Sequence, residues 1–188
     1  MLRMKKILLA ILILVCFILV GFRDVPDPRI RVAILIDASS VRISATGRFK
    51  IFAPGKLEAV AAGDKNSIYQ IQPGLFGLKM EGPEEYGDIL EIKPLGDSFI
   101  RVNNRAYRGE IKVRKRNDTL LVINEVNLEE YLQGVMKHEI SPAWPKEAVK
   151  AQAVAARSFA LNKRLKNIGK PYDLVATIIA QVYGGLSG

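Results

Sequence analysis

From Ile30 to Val126 the chain is a succession of short segments rich in β-branched and aromatic residues, and no other feature constrains the fold as much. The segments read IRVAILI, VRISA, RFKIFA, SIYQIQ, DILEIKP, SFIRV, GEIKVRK and TLLVINEV, and apolar and polar residues often alternate within them. Alternation with a period of two turns one face of a strand toward a core and the other toward water. Between the segments stand ATG, APG, QPG, NN and RND, which supply the Gly, Asn, Asp and Pro that tight reversals require. A β-rich part is therefore expected over residues 30–126, arranged as a barrel or a sandwich.

The period changes after Val126. In LEEYLQGVMKHEI, residues Leu128, Leu132, Val135 and Met136 fall within one face of a helix, and Glu129 and Glu130 suit its positive end. Pro142 and Pro145 interrupt the pattern. Pro145 stands where the first turn of a second helix would begin, running to about Lys166 and ended by Gly169 and Pro171. That helix is rich in alanine (Ala148, Ala151, Ala153, Ala155, Ala156, Ala160), which favours helix and lets another backbone come close. The expected class is α+β, with a tightly packed helical pair over residues 127–188 set against the β-rich part.

The N-terminus is of a different kind. MLRMKK precedes ILLAILILVCFILVGF, a run from Ile7 to Phe22 without a charge. A basic segment before an apolar run is an export signal or a membrane anchor. At about 1.5 Å per residue the run spans roughly 24 Å, short of a ~30 Å hydrocarbon core but passable in a thin bilayer. Gly21 is the one small residue near its end, which favours an uncleaved anchor over a cleaved signal and a secreted product. Arg3, Lys5 and Lys6 lie before the run, so the rest of the chain is expected outside the cytoplasm. The anchor then covers residues 1–22, and a linker containing RDVPDP covers 23–29.

Composition narrows the chemistry. With 49% hydrophobic and 25% charged residues the chain is globular rather than disordered. Its single cysteine, Cys16, lies within the apolar run as filler, and His138 is its single histidine. A thiolate or multi-histidine metal site is therefore excluded, and no cofactor is expected. The net charge is +9. Much of it lies in RVNNRAYRGEIKVRKR, which is either a solvated strand face or a surface for an anionic polymer or anionic lipid. Nucleic acid is not an expected partner outside the membrane.

One carboxylate is unusually placed. Counting about 100° per residue from Leu128, Glu139 falls near 20°, in the middle of the apolar stripe of the first helix. A carboxyl enclosed there would hold its proton, as a general acid must, or it would be paired with a base such as Arg157. His138 points about 100° away, as a packed, hydrogen-bonded or catalytic imidazole. Gln152 shares a face with Ala148, Ala155 and Phe159 as a structural latch or a substrate contact, since a buried amide must be hydrogen-bonded. Trp144, between two prolines, is a packing plug or a platform for a sugar ring.

The block VNLEEYLQGVMKHEISPAWPKEAVKAQAVAARSFAL, followed by YDLVAT and QVYGG, resembles the SpoIID/LytB domain family. The likeness is close from Val126 to Gly185 and looser over the strands. It implies action on peptidoglycan, in the manner of membrane-anchored lytic transglycosylases of sporulation that cleave peptide-free glycan strands, or of LytB-like enhancers that stimulate a cell-wall amidase. It implies that Glu139 is the catalytic acid and that Gln152, Arg157 and Tyr183 stand at cleft positions of the family, with His138 and Trp144 as further candidates for substrate contact. Sporulation members can carry Cys and His zinc ligands before QVYGG. Here that stretch reads TIIA (177–180), so no zinc is expected. Family members also continue past QVYGG. The helical part is therefore expected to be incomplete, and inactive if cleft residues are among those missing, with apolar surface exposed near Val182 and Tyr183.

Overall fold

The computed structural model describes residues 28–141, 143–177 and 180–186. The expected anchor over residues 1–22 lies outside them, as does the linker up to residue 27. Among the described residues no helix is long and apolar enough to cross a membrane.

Two sheets are stacked on one core. The first, of seven strands, contains β1 (Arg29–Ala38), β3 (Phe49–Phe52), β4 (Ala61–Gly63), β7 (Ile89–Pro94), β10 (Glu110–Arg116), β11 (Thr119–Asn127) and β12 (Leu174–Val175), in the order β12-β1-β11-β10-β7-β3-β4. The second, of five, contains β2 (Val41–Ala45), β5 (Tyr69–Pro73), β6 (Leu78–Lys79), β8 (Ile100–Val102) and β9 (Arg105–Tyr107), in the order β6-β5-β2-β8-β9. Neighbours are antiparallel except β12, which runs parallel to β1. The architecture is thus a sandwich within the α+β class.

The alternation of the sequence decides which side chains enter. Val41, Ile43 and Ala45 of β2 and Ile111 and Val113 of β10 are buried, while Arg42 between them in β2 faces water. A Val, Ile or Leu so enclosed contributes about 1.5–3 kcal/mol by leaving water. β11 is covered on both faces, which is why LLVI is a continuous apolar run. Leu120 and Val122 enter the main core, whereas Leu121 and Ile123 join Ala33 in a second cluster on the outer face, beneath Tyr172 and Val175. The Asn103–Asn104 turn joins β8 to β9 with both residues at positive φ (47° and 73°), the geometry of a type I′ hairpin.

β11 leads straight into α1 (Leu128–Glu139). Asn127 caps it, its side-chain oxygen accepting from the Glu129 N–H at 2.8 Å. Leu128, Tyr131, Leu132 and Val135 join the same core as the strands, so the helical and β-rich parts share one interior. The second helix, α2, spans Lys146–Lys166 and begins at Pro145. Its packing departs from the expected tight pair. Ala156 and Ala160 are buried, but Ala151 and Ala155 are exposed and Val154 is 58% exposed. Alanine allows close approach only along the strip that meets α1 and β1, and the rest of the helix has no covering element among the described residues.

After α2 the chain returns to the sheet through a part-buried ion pair. Asp173, whose side chain is 0% exposed, accepts from the Arg31 guanidinium at 2.5 Å and from the Arg31 backbone N–H at 2.9 Å. The Arg31 guanidinium also donates to the carbonyls of Asn167 and Lys170. Removing one member strands the other, so Asp173→Ala is expected to cost about 3 kcal/mol. Urea denaturation checks this, and a loss under about 1 kcal/mol would mean that Arg31 finds water instead.

Candidate functional site

α1 ends where Glu139 meets α2. The Gln152 amide donates to the Glu139 carboxylate at 3.1 Å, joining the last residue of α1 to the second turn of α2. The helical phase of Glu139 is as the sequence indicates, but its expected burial is not found. Glu139 is exposed, because the apolar stripe reaches it only at the last turn of the helix, beyond the buried Leu132 and Val135. Gln152 is half-buried.

Beside Glu139 lies a second carrier of polarity. The Tyr131 hydroxyl donates to the side-chain oxygen of Gln181 at 2.8 Å, and both residues are buried. Burial, and then the nearby charge of Glu139, hold the Tyr131 phenol well above its usual range. The chain after β12 thus returns to α1 at the level of its catalytic candidate. Gly184 lies directly under the His138 imidazole, close enough that a Cβ there would fall 1.8 Å from its Nε2. Gly134 gives the same close approach one helical turn earlier, where a Cβ would stand 2.6 Å from the Tyr183 ring. His138 itself is exposed on its outer side.

Two expected site residues stand elsewhere. Arg157 does not pair with Glu139. It grips Glu129 with two hydrogen bonds of 2.8 and 2.7 Å, roughly 15 Å away along α1, and holds that carboxyl below its usual range. Tyr183 is only 3% exposed. Its ring packs 5.0 Å from that of Tyr131 and 6.0 Å from that of Tyr107, and its hydroxyl donates to Asn124 at 2.7 Å. Tyr183 is therefore a core residue in this chain, and the apolar exposure expected there is absent because α1 and β9 already cover it. Val182 is half-buried.

Trp144 lies between the helices and is 57% exposed, so it is not a packing plug. The loop before it is held by the Trp144 N–H on the Ser141 carbonyl at 3.1 Å and by the Ala143 N–H on the Ser141 hydroxyl at 3.3 Å. An accessible carboxylate, an amide fixed to it and an exposed indole thus occupy one end of the helical pair. Such a set can hold a sugar by stacking and hydrogen bonds and can pass a proton to it. Among the described residues no cluster of His, Cys, Asp and Glu could hold a metal ion.

Sequence reasoning missed Tyr131, Gln181 and Asn124. Asn124 carried a signal, since it occupies an apolar phase of β11 opposite Val32 and Ile111. A polar residue there must find partners, and its amide donates to the carbonyls of Arg108 and Glu110 while its oxygen accepts from Tyr183. For Gln181 the only signal was its place beside Tyr183 in QVYGG.

Fold and site together define an α+β sandwich domain that carries its polar constellation at the open end of a helical pair. Residues 116–188 match the family SpoIID, stage II sporulation protein, in keeping with the resemblance to the SpoIID/LytB family. It is 36% identical over 159 residues to an uncharacterized protein of Brachyspira hyodysenteriae, covering 83% of this chain and 42% of that protein. Identity to an uncharacterized protein of Chlamydia muridarum is 31% over 144 residues, covering 74% of this chain and 48% of the relative. The amidase enhancer of Bacillus subtilis is 30% identical over 149 residues, which are 71% of this chain and 20% of that protein. The chain thus spans about half, or less, of the length of these relatives. No solved structure matches it.

Proposed function

We propose that this domain acts on the bacterial cell wall, cleaving peptidoglycan glycan strands by lytic transglycosylation with Glu139 as acid and then base. The observation that supports it most directly is the Gln152 amide fixed 3.1 Å from an accessible Glu139 carboxylate. Hydrolytic glycosidases generally use two carboxylates flanking the bond. Among the other carboxylates of the helical pair, Glu147 is exposed and held by Lys150 at 2.8 Å, and Glu129 is held by Arg157. A reaction that consumes no water needs only one carboxyl. Glu139 gives its proton to the leaving glycosidic oxygen as the C1–O bond breaks. As carboxylate it then takes the proton of the muramic acid 6-hydroxyl, whose oxygen closes on C1. The product is a 1,6-anhydro end, and Trp144 offers a face for a neighbouring sugar. Glu139 is open to water among the described residues, and a bound glycan would add to its enclosure.

Incubating purified protein with peptide-free glycan and analysing the soluble fragments by mass spectrometry tests this reading. Anhydro ends support it, and reducing ends mean that water attacks with a second carboxylate.

The exposure of Glu139, together with the likeness to an amidase enhancer, favours one other reading. In it the domain binds the wall or an amidase and stimulates the hydrolase without cutting glycan. Faster release of stem peptides by an added amidase, with no anhydro fragments, distinguishes it.

Either reading places the domain on the outer side of the cell membrane, held by the apolar run Ile7 to Phe22. Protease added to intact spheroplasts is then expected to digest the domain. Protection until lysis would reverse the orientation.

A further inference from the structure

The basic stretch of the sequence ends in a groove apart from Glu139. Three clefts of about 520, 420 and 440 Å³ adjoin one another between the outer face of the seven-stranded sheet and the segment that follows α2. The first two share Arg114, Lys170 and Pro171, and the last two share Arg31 and Gly169. Together they run along β10, β11 and β1, from Arg116 at one end to Arg29 at the other. At about 3.3 Å per residue that is a groove roughly 25 Å long. Its near end lies about 20 Å along α2 from Gln152, so it is no part of the Glu139 site.

The groove carries a surplus of positive charge. Some of its cations are committed: Lys112 bridges Glu91 and Glu125, and Arg31 is locked to Asp173. Others have no hydrogen-bonded carboxylate partner among the described residues. Arg114 is half-buried at the floor and shared by two of the clefts. Lys170 reaches only the Asn167 side-chain oxygen at 2.8 Å. Arg164 lines the end near Arg29, and Arg116 has only a loose contact of 3.7 Å with the exposed Asp37. Along the walls, Glu91 and Glu125 are already engaged by Lys112. Arg114 has no anion of its own among the described residues, and a ligand anion would supply one.

The shape selects the kind of anion. The groove is overhung by the turn at Asn167–Tyr172, which the Arg31–Asp173 pair fastens to β1. A planar membrane cannot reach Arg114 beneath such an overhang, whereas a chain can thread past it. Cations spaced along some 25 Å suit closely spaced charges rather than a single small ion. The guanidinium fork of Arg114 suits phosphate oxygens.

The geometry points to a binding groove for a linear polymer of phosphate groups, lined by Arg114, Arg116, Arg164 and Lys170. It would hold the domain on an anionic, phosphate-bearing polymer while the Glu139 end remains free. The assignment stands independently of what Glu139 does.

The test uses the full chain in neutral detergent and a fluorescently labelled inorganic polyphosphate, with affinity read by anisotropy across a salt series. Arg114→Gln combined with Lys170→Gln is expected to weaken binding about tenfold or more and to lower the slope of log K against log salt by about two, one for each phosphate left without its cation. Lys56→Gln, an exposed cation of the β3–β4 loop away from the groove, is expected to change affinity less than about twofold. Lys170→Glu alone, at an exposed position with little bearing on folding, is expected to weaken binding as well. Equal weakening in the Lys56 variant, no measurable binding to polyphosphate, or binding only to vesicles of phosphatidylcholine with phosphatidylglycerol would each overturn the assignment.

Discussion

Glu139→Gln is expected to leave fold and glycan binding intact and to lower release of anhydro fragments by at least about 100-fold. Glutamine keeps the shape of the side chain and its hydrogen bond to Gln152, which is free to turn its amide, but it has no proton to give to a leaving oxygen. Because Glu139 is exposed, the change should move the unfolding midpoint little. Co-sedimentation with insoluble peptide-free glycan measures binding, and mass spectrometry measures ends. Cleavage undiminished in the Gln variant clears Glu139 of the role. Binding and cleavage abolished together would make the residue a substrate-holding group rather than an acid. If the domain is instead an amidase enhancer, the wild-type chain releases no anhydro ends and the variant changes nothing.

The largest effect on stability is expected at Tyr183. Its ring fills the space between Tyr131 and Tyr107, and Gly134 is bare so that it can do so. Truncation in Tyr183→Ala should cost about 3–5 kcal/mol from forfeited transfer energy and a cavity that the two tyrosines cannot fill. Tyr183→Phe should cost about 1–2 kcal/mol, because the oxygen of the fully buried Asn124 loses its hydroxyl donor. Chemical denaturation of both variants measures the difference. A Phe variant of full stability that no longer cleaves glycan would return Tyr183 to the substrate-binding role that the family likeness implies.

Much of the framework could be read directly. The period-two segments correspond to β1, β2, β3, β5, β7, β8, β10 and β11, and the Asn-Asn and Arg-Asn-Asp signals fall at reversals with positive φ. Both helices begin and end within a residue or two of where their caps and prolines indicate. The strands that escaped notice, β4, β6, β9 and β12, are two or three residues long. Segments so short have no measurable period and exist only because a longer neighbour offers them hydrogen bonds. β12 is the clearest instance, since Leu174 and Val175 extend the sheet only beside the edge of β1.

The candidate site divides in the same way. Helical phase is local, so the sequence by itself determined that Glu139 follows the line of Leu128, Leu132 and Val135, and the chain's residue types excluded a thiolate or multi-histidine centre. Burial is not local. Whether that line is covered depends on what lies opposite each turn, and the sheets cover Leu132 and Val135 but stop short of Glu139. Pairing is not local either: only the placement of α2 against α1 decides that Gln152 meets Glu139 while Arg157 meets Glu129. The same holds for Tyr183, whose segment returns across the sequence to close over Tyr131, and for the basic stretch, whose charges become a groove only because the chain after α2 folds back over β10 and β11. Periodicity and composition act within a few residues, whereas contacts between residues far apart in the chain are set by how whole elements pack.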